Sequence, residues 1–166
     1  MEFEIDRLKA EDLKAAIAIQ REIYPEKLIE SEPVFSSRIG LEGSYCLSAK
    51  SDDVLLGYLI AHAWIANSPP ALGAVLADPA PKEILYVHDL AVSHHGRGRG
   101  VGRKLINRAM ATAADEGVAE AQLIAVRGAG SFWEQLGFEK IVASSNLKKK
   151  LQSYGSDSVW MTRPLG

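Results

Sequence analysis

The residues with the clearest chemical meaning are Gly98, Gly100 and Gly102, set among Arg97, Arg99, Arg103 and Lys104. They stand where a strand-like run, Ile84 to Val92, gives way to a helix-like run from Gly100 to Glu116. Glycines at alternate positions strip side chains from one edge of the turn, so consecutive backbone N–H groups can close on an anion at the partially positive start of a helix. That is a place for a phosphate or pyrophosphate. Spacing excludes two familiar phosphate loops. A Walker A loop ends in Gly-Lys-Ser or Gly-Lys-Thr, whereas Lys104 follows Arg103 and precedes Leu105. A G-x-G-x-x-G dinucleotide fingerprint counted from Gly96, Gly98 or Gly100 ends on Val101, Arg103 or Leu105.

What remains is Arg97-x-x-Gly100-x-Gly102 behind the strand end Leu90-Ala91-Val92, and it resembles the signature of the GNAT superfamily of acetyl-CoA-dependent N-acetyltransferases. Phe132-Trp133-Glu134-Gln135-Leu136-Gly137-Phe138 resembles the F-Y-x-x-L-G-F segment of the same superfamily. Read without the resemblance, that segment is a short amphipathic helix stopped by Gly137, then a strand beginning at Phe138. The resemblance implies an α/β, single-domain GNAT fold over residues 1–166, with a mixed, mostly antiparallel central sheet flanked by helices and splayed to form the acetyl-CoA cleft. It implies acetyl-CoA as cosubstrate and no metal, with Leu90, Ala91 and Val92 against the pantetheine arm. Arg97, Gly98, Arg99, Gly100, Val101, Gly102 and Arg103 then meet the pyrophosphate. The implied reaction is direct transfer of an acetyl group to the primary amine of a small molecule, with backbone N–H groups near Leu90 to Val92 polarising the thioester carbonyl.

An alkylammonium with a pKa of about 10 is almost wholly protonated at pH 7, so some group must take a proton. His88 is the first candidate, because its ordinary pKa of about 6.5 suits a general base and it lies just before the strand end. Strict alternation puts Tyr86, His88 and Leu90 on one face and Asp89 and Ala91 on the other. Tyr86-x-His88 partly resembles the H-x-H of the arylalkylamine N-acetyltransferases, which favours an amine acceptor over a protein. Trp133 departs from the superfamily's usual tyrosine, and an indole N–H is too weak an acid to protonate the CoA thiolate. Tyr154 is the alternative acid. Val126 departs from a pantetheine-binding asparagine. Tyr24, Phe35, His62 and Trp64 are candidates for an aromatic-lined acceptor pocket; core packing explains each equally well. Two other readings stay open: an acyl-CoA-binding regulatory module with little turnover, encouraged by Trp133, and a protein or peptide N-acetyltransferase.

The elements that must position these residues are legible from periodicity. Phe3 and Ile5 alternate as a strand. A helix opens at Glu11 and Asp12 and ends before Pro25, and Ser31 starts a second through Val34, Phe35 and Ile39 that stops at Gly40 or Gly43. Tyr45 to Ala49 and Val54 to Trp64 form a hairpin around Ser51-Asp52-Asp53. Asn67-Ser68-Pro69-Pro70 and Asp78-Pro79-Ala80-Pro81 bracket a long patternless segment just before the phosphate strand, the kind of loop that often carries function. Strands follow at Gln122 to Val126, Phe138 to Ala143 and Ser158 to Arg163, while Asn146 to Tyr154 is basic and of uncertain structure.

Composition bounds the rest. A chain of 166 residues that is 47% hydrophobic can bury a core of its own. A net charge of −2 gives no global attraction to nucleic acid or anionic membrane, so neither is an expected partner. Cys46 alone excludes an intramolecular disulfide, and no Cys/His spacing resembles a metal site. The start Met1-Glu2-Phe3-Glu4 lacks the basic and apolar regions of a signal peptide, and the longest apolar run, Val54 to Ala66, is broken by Gly57 and His62. The expected location is cytoplasmic. The sequence leaves a homodimer open.

Overall fold

The computed structural model describes residues 2–166. Seven strands form one sheet: β1 (Glu4–Arg7), β2 (Leu47–Ser51), β3 (Val54–Trp64), β4 (Ile84–Val92), β5 (Glu120–Ala125), β6 (Glu139–Lys140) and β7 (Val159–Pro164). Their order across the sheet is β1-β2-β3-β4-β5-β7-β6. Only β4 and β5 run parallel; the other neighbours are antiparallel. Five helices cover it: α1 (Leu13–Ile23), α2 (Glu32–Ile39), α3 (Val101–Asp115), α4 (Gly130–Gln135) and α5 (Ser145–Ser153). The architecture is the mixed, mostly antiparallel α/β sheet that the glycine and Phe132 motifs imply.

Period-2 alternation sorts the strand side chains between two layers. Leu85, Val87, Ala121, Leu123 and Met161 meet Leu105, Ile106 and Ala109 of α3 and Trp133 of α4 on one face. On the other, Tyr58, Ile60 and Ala91 meet Leu13, Ala16 and Ile19 of α1 and Phe35 of α2. Ile84, Tyr86, Ile124 and Trp160 on that same side pack on Leu147 and Leu151 of α5. The basic segment before Tyr154 is thus helical: Ser144 accepts a hydrogen bond from the Leu147 N–H, and Leu147 and Leu151, one turn apart, supply its apolar stripe. The strand expected from Phe138 to Ala143 shrinks to two residues. It is an edge strand, and Val142 beyond it is exposed.

Two irregularities in β4 shape the site. β4 pairs with β5 only at Leu85, Tyr86 and Val87, opposite Ala121, Gln122 and Leu123, and beyond Val87 the strands part. On its other edge β4 stays paired with β3 as far as Val92 opposite Gly57. That pairing slips once: Asp89 faces Ile60 and Val87 faces Ala61, leaving His88 as the extra residue of a β-bulge. The slip shifts the alternation by one. Leu90 therefore joins Val87 and Val92 on the α3 side, while Asp89 turns to Tyr58 on the α1 side. Strict alternation, which grouped Leu90 with Tyr86 and His88, is corrected by this bulge.

Candidate active site

Where β4 and β5 part, a cleft of about 560 Å³ opens, running from the glycine turn to the buried bend between α1 and α2. At one end Gly98 and Gly100 have φ of +78° and +73°, in the left-handed region, and a Cβ on either would meet nothing within 4 Å. Side chains of most residues are strained there, so glycine is what lets the backbone make this turn. Gly100 is the residue from which α3 starts, and the first N–H groups of the helix have no partner within it. Leu90, Val92, Arg97, Gly98, Gly100, Val101, Gly102 and Arg103 line the cleft. Ala91 is buried on the opposite face of β4 with Tyr58 and Ile60, and Arg99 does not line the cleft. A pyrophosphate and an extended arm fit this end: open glycine backbone, a helix N-terminus, two flanking guanidinium groups and the unpaired edge of β4.

At the other end lies His88, whose side chain is 2% exposed and whose Nε2 is 2.5 Å from Oε1 of Glu30. Glu30 is equally buried and tightly placed. Gln20 of α1 takes the Glu30 N–H at 2.7 Å and donates to its carbonyl at 2.9 Å, while Gly73 N–H donates to Oε2 at 2.7 Å. Burial pushes the Glu30 carboxyl up, but the His88 hydrogen bond and charge and the Gly73 N–H outweigh it, leaving the group below its ordinary value. An ionised carboxylate only accepts, so His88 Nε2 carries a hydrogen, and in the neutral imidazole Nδ1 then presents a lone pair. Among the described residues nothing bonds to that Nδ1, nor to Oδ1 of Asp89, and both atoms are buried. Leaving such groups unpaired costs about 1–3 kcal/mol each. Asp89 Oδ2 accepts from Tyr58 at 2.6 Å; burial pushes this carboxyl up, against the charge of His88 and the Tyr58 hydrogen bond.

Tyr24, Tyr154 and Trp133 also line the cleft. Tyr24 donates to the Leu90 carbonyl at 3.1 Å. Tyr154 donates to the Pro70 carbonyl at 3.1 Å, and burial, aided by the Glu30 charge, pushes its pKa up to about 12. Trp133 packs edge-on to Phe132 and Phe138, so indole replaces phenol here as part of the wall. Phe35, His62 and Trp64 lie elsewhere. Phe35 is fully buried against Tyr58. His62 accepts from Arg38 at Nε2 and donates from Nδ1 to the Ala63 carbonyl; burial and then the Arg38 cation hold its pKa at about 3. Trp64 shares its strand face with His62 and donates to the Ser68 carbonyl. Of the four aromatic candidates, only Tyr24 reaches the cleft.

The patternless segment between β3 and β4 contains no helix or strand and lies across this end of the site. It is held by Glu30 at Gly73, Arg38 at Ala74, Ser37 at Leu76, Lys150 at Pro69 and Tyr154 at Pro70. Glu30 was not among the residues that the sequence singled out. A Glu in the connection between α1 and α2, far along the chain from His88, carries no local signal. The only hint was its place just before the Ser31 cap, in a connection that faces the end of β4.

A family model described as acetyltransferase (GNAT) family matches residues 13–138. N-acetyltransferase family 8 member 2 of Rattus norvegicus is 28% identical over 106 residues, covering 57% of this chain and 47% of its own, so the chain spans about half the length of that relative. Two solved structures share the fold over nearly their whole length. The ribosomal-protein-S18-alanine N-acetyltransferase of Escherichia coli has a TM-score of 0.71 at 19% identity, covering 99% of this chain and 95% of that one. Arabidopsis thaliana Naa50, in complex with the bisubstrate analogue CoA-Ac-MVNAL, has a TM-score of 0.70 at 16% identity, covering 98% of this chain and 99% of that one.

Proposed function

This chain belongs to the acetyltransferase (GNAT) family, and we propose that it moves an acetyl group from acetyl-CoA directly to the primary amine of a small molecule. The observation that carries the reading is the continuity of the cleft. It joins the left-handed glycine turn at the start of α3, the freed edge of β4 and the buried His88–Glu30 pair in one channel. Acetyl-CoA lies along the glycine turn and β4. The thioester lies along the unpaired edge of β4 near His88, where backbone N–H groups stabilise negative charge on its carbonyl oxygen. His88 takes a proton from the acceptor ammonium, and Tyr154 returns one to the departing thiolate, a role suited to a phenol that stays protonated up to about pH 12.

A small acceptor is favoured because the end of the cleft is lined by Tyr24, Leu28, Leu72 and Tyr154 and carries the carboxylates of Glu30 and Asp89. The second reading is a peptide acceptor, motivated by the S18-alanine enzyme and the Naa50 peptide conjugate among similar folds. Release of CoA, followed with a thiol reagent across a panel of small primary amines and N-terminal peptides, decides between them. Saturable release with amines supports the proposal. Saturation with peptides alone transfers the acceptor role to them, and binding of acetyl-CoA without release by either class leaves a binding module.

A further inference from the structure

We propose that His88 Nδ1 and Asp89 Oδ1 together receive the acceptor nitrogen, and that Glu30 is the positioning residue that leaves Nδ1 free to do so. The inference rests on His88 being the base and specifies which of its atoms acts. Three observations meet here. The bulge at His88 brings two consecutive side chains to one face of β4, which regular alternation forbids. Both residues line the cleft, and each has one buried polar atom with no partner among the described residues. With Nε2–H directed at Glu30, neutral His88 and ionised Asp89 offer one acceptor atom each, and a group with at least two N–H or O–H hydrogens completes both. A carboxylate, phosphate or carbonyl cannot do this. A primary ammonium can, with one hydrogen on each atom and one to spare.

The proton step follows from the same geometry. An N–H bond of the ammonium breaks and an Nδ1–H bond forms, and the Glu30 carboxylate faces the resulting imidazolium across Nε2. The freed lone pair forms the C–N bond as the thioester C–S bond breaks. The electron pair of that bond leaves on CoA sulfur, which collects the second proton from nitrogen by way of Tyr154. The imidazolium then loses its proton to solvent. Glu30 is itself held by Gly73 N–H, so the segment between β3 and β4 sets the base through one carboxylate. The charged and titratable groups around His88 include Glu30 and Arg38 from the α1–α2 side, His62 from β3, and Asp89 and Tyr86 from β4, the tyrosine raised by burial. Tyr24, Tyr58 and Tyr154 stay neutral because burial raises each of them.

Long-range ¹H–¹⁵N correlation spectra of the full chain test the tautomer without any need for turnover. His88 with hydrogen on Nε2 is expected; hydrogen on Nδ1 in the wild type overturns the inference. In kinetics, Glu30→Gln is expected to lower kcat about 10- to 100-fold with an unchanged KM for acetyl-CoA. Losing the carboxylate that faces Nε2 is expected to move the acid limb of kcat/KM for the amine to lower pH. A purely structural role would move neither the tautomer nor that limb. Asp89→Asn, which keeps the shape and a partner for Tyr58, is expected to raise the amine KM about tenfold; an unchanged amine KM removes Asp89 from the proposal. A Glu30→Gln enzyme at full rate beside an inactive His88→Ala enzyme overturns this inference alone, whereas a fully active His88→Ala enzyme overturns the base assignment beneath it.

Discussion

Gly100→Asp separates the phosphate role of the glycine turn from its role in folding. The added Cβ meets nothing within 4 Å, so the cost to the fold is the left-handed backbone at φ +73°. For an ordinary residue that is about 1–2 kcal/mol, and less for Asp, which tolerates this region. A carboxylate at the start of α3 recovers about 0.3–1 kcal/mol from the helix dipole. Stability should therefore change by no more than about 1 kcal/mol, a Tm shift of about 2–4 °C for a chain of this size. Affinity responds quite differently. A carboxylate about 5 Å from one phosphate charge, at an effective dielectric constant of about 20, is repelled by about 3 kcal/mol. That is a loss of at least about 100-fold in CoA binding. Gly100→Ala carries the backbone strain without the charge and should stay within about tenfold of wild type. Isothermal calorimetry with CoA, paired with thermal unfolding, reads both quantities. An Asp variant that binds CoA like the wild type would show that no phosphate lies at this turn. Equal losses in the Ala and Asp variants would show that backbone strain, and not charge, explains the effect.

His88→Ala should reduce turnover about 100-fold or more while the acetyl-CoA Kd by calorimetry stays near its wild-type value; an unchanged rate and pH profile would move the base elsewhere. Tyr154→Phe should lower kcat by a factor that does not vary across the usable pH range, since a phenol held at about 12 shows no limb there; full activity at unchanged thermal stability would mean that the thiolate leaves without it. His62 is held neutral, with a pKa of about 3 against 6.5 when exposed. Its folded pKa is depressed, so the unfolded chain binds the proton first as the solution is acidified, and the stability of the fold is lost progressively from about pH 6.5 down towards 3. Urea unfolding of His62→Gln across that range should show a shallower pH dependence than wild type; identical slopes would exclude His62 as the source.

Much of this protein was legible along the chain because the deciding interactions are local. The glycine turn, the helix from Val101 to Asp115 and the Leu136-Gly137-Phe138 stop depend on backbone freedom and on periodicity within one or two turns. The hairpin of β2 and β3 and the second helix, with Ser31 before it and Gly40 after it, are read the same way. The candidate acetyl-CoA residues were named on that local basis, and of them Ala91, buried on the far face of β4, and Arg99 do not line the cleft.

The acceptor end was decided by tertiary structure. His88 and Asp89 share a face only because the β3–β4 ladder slips by one residue, and a slip belongs to the pairing of two strands and not to either sequence alone. Glu30 reaches His88 from 58 residues away because Gln20 of α1 clamps its backbone. Phe35, His62 and Trp64 have the same aromatic character as Tyr24, yet packing buries Phe35 and His62, leaves Trp64 half-buried beside His62, and brings only Tyr24 to the cleft. A side chain's type records what it can bind. Which cavity it faces depends on the register and burial of the whole sheet, and these are set by contacts far apart in the chain.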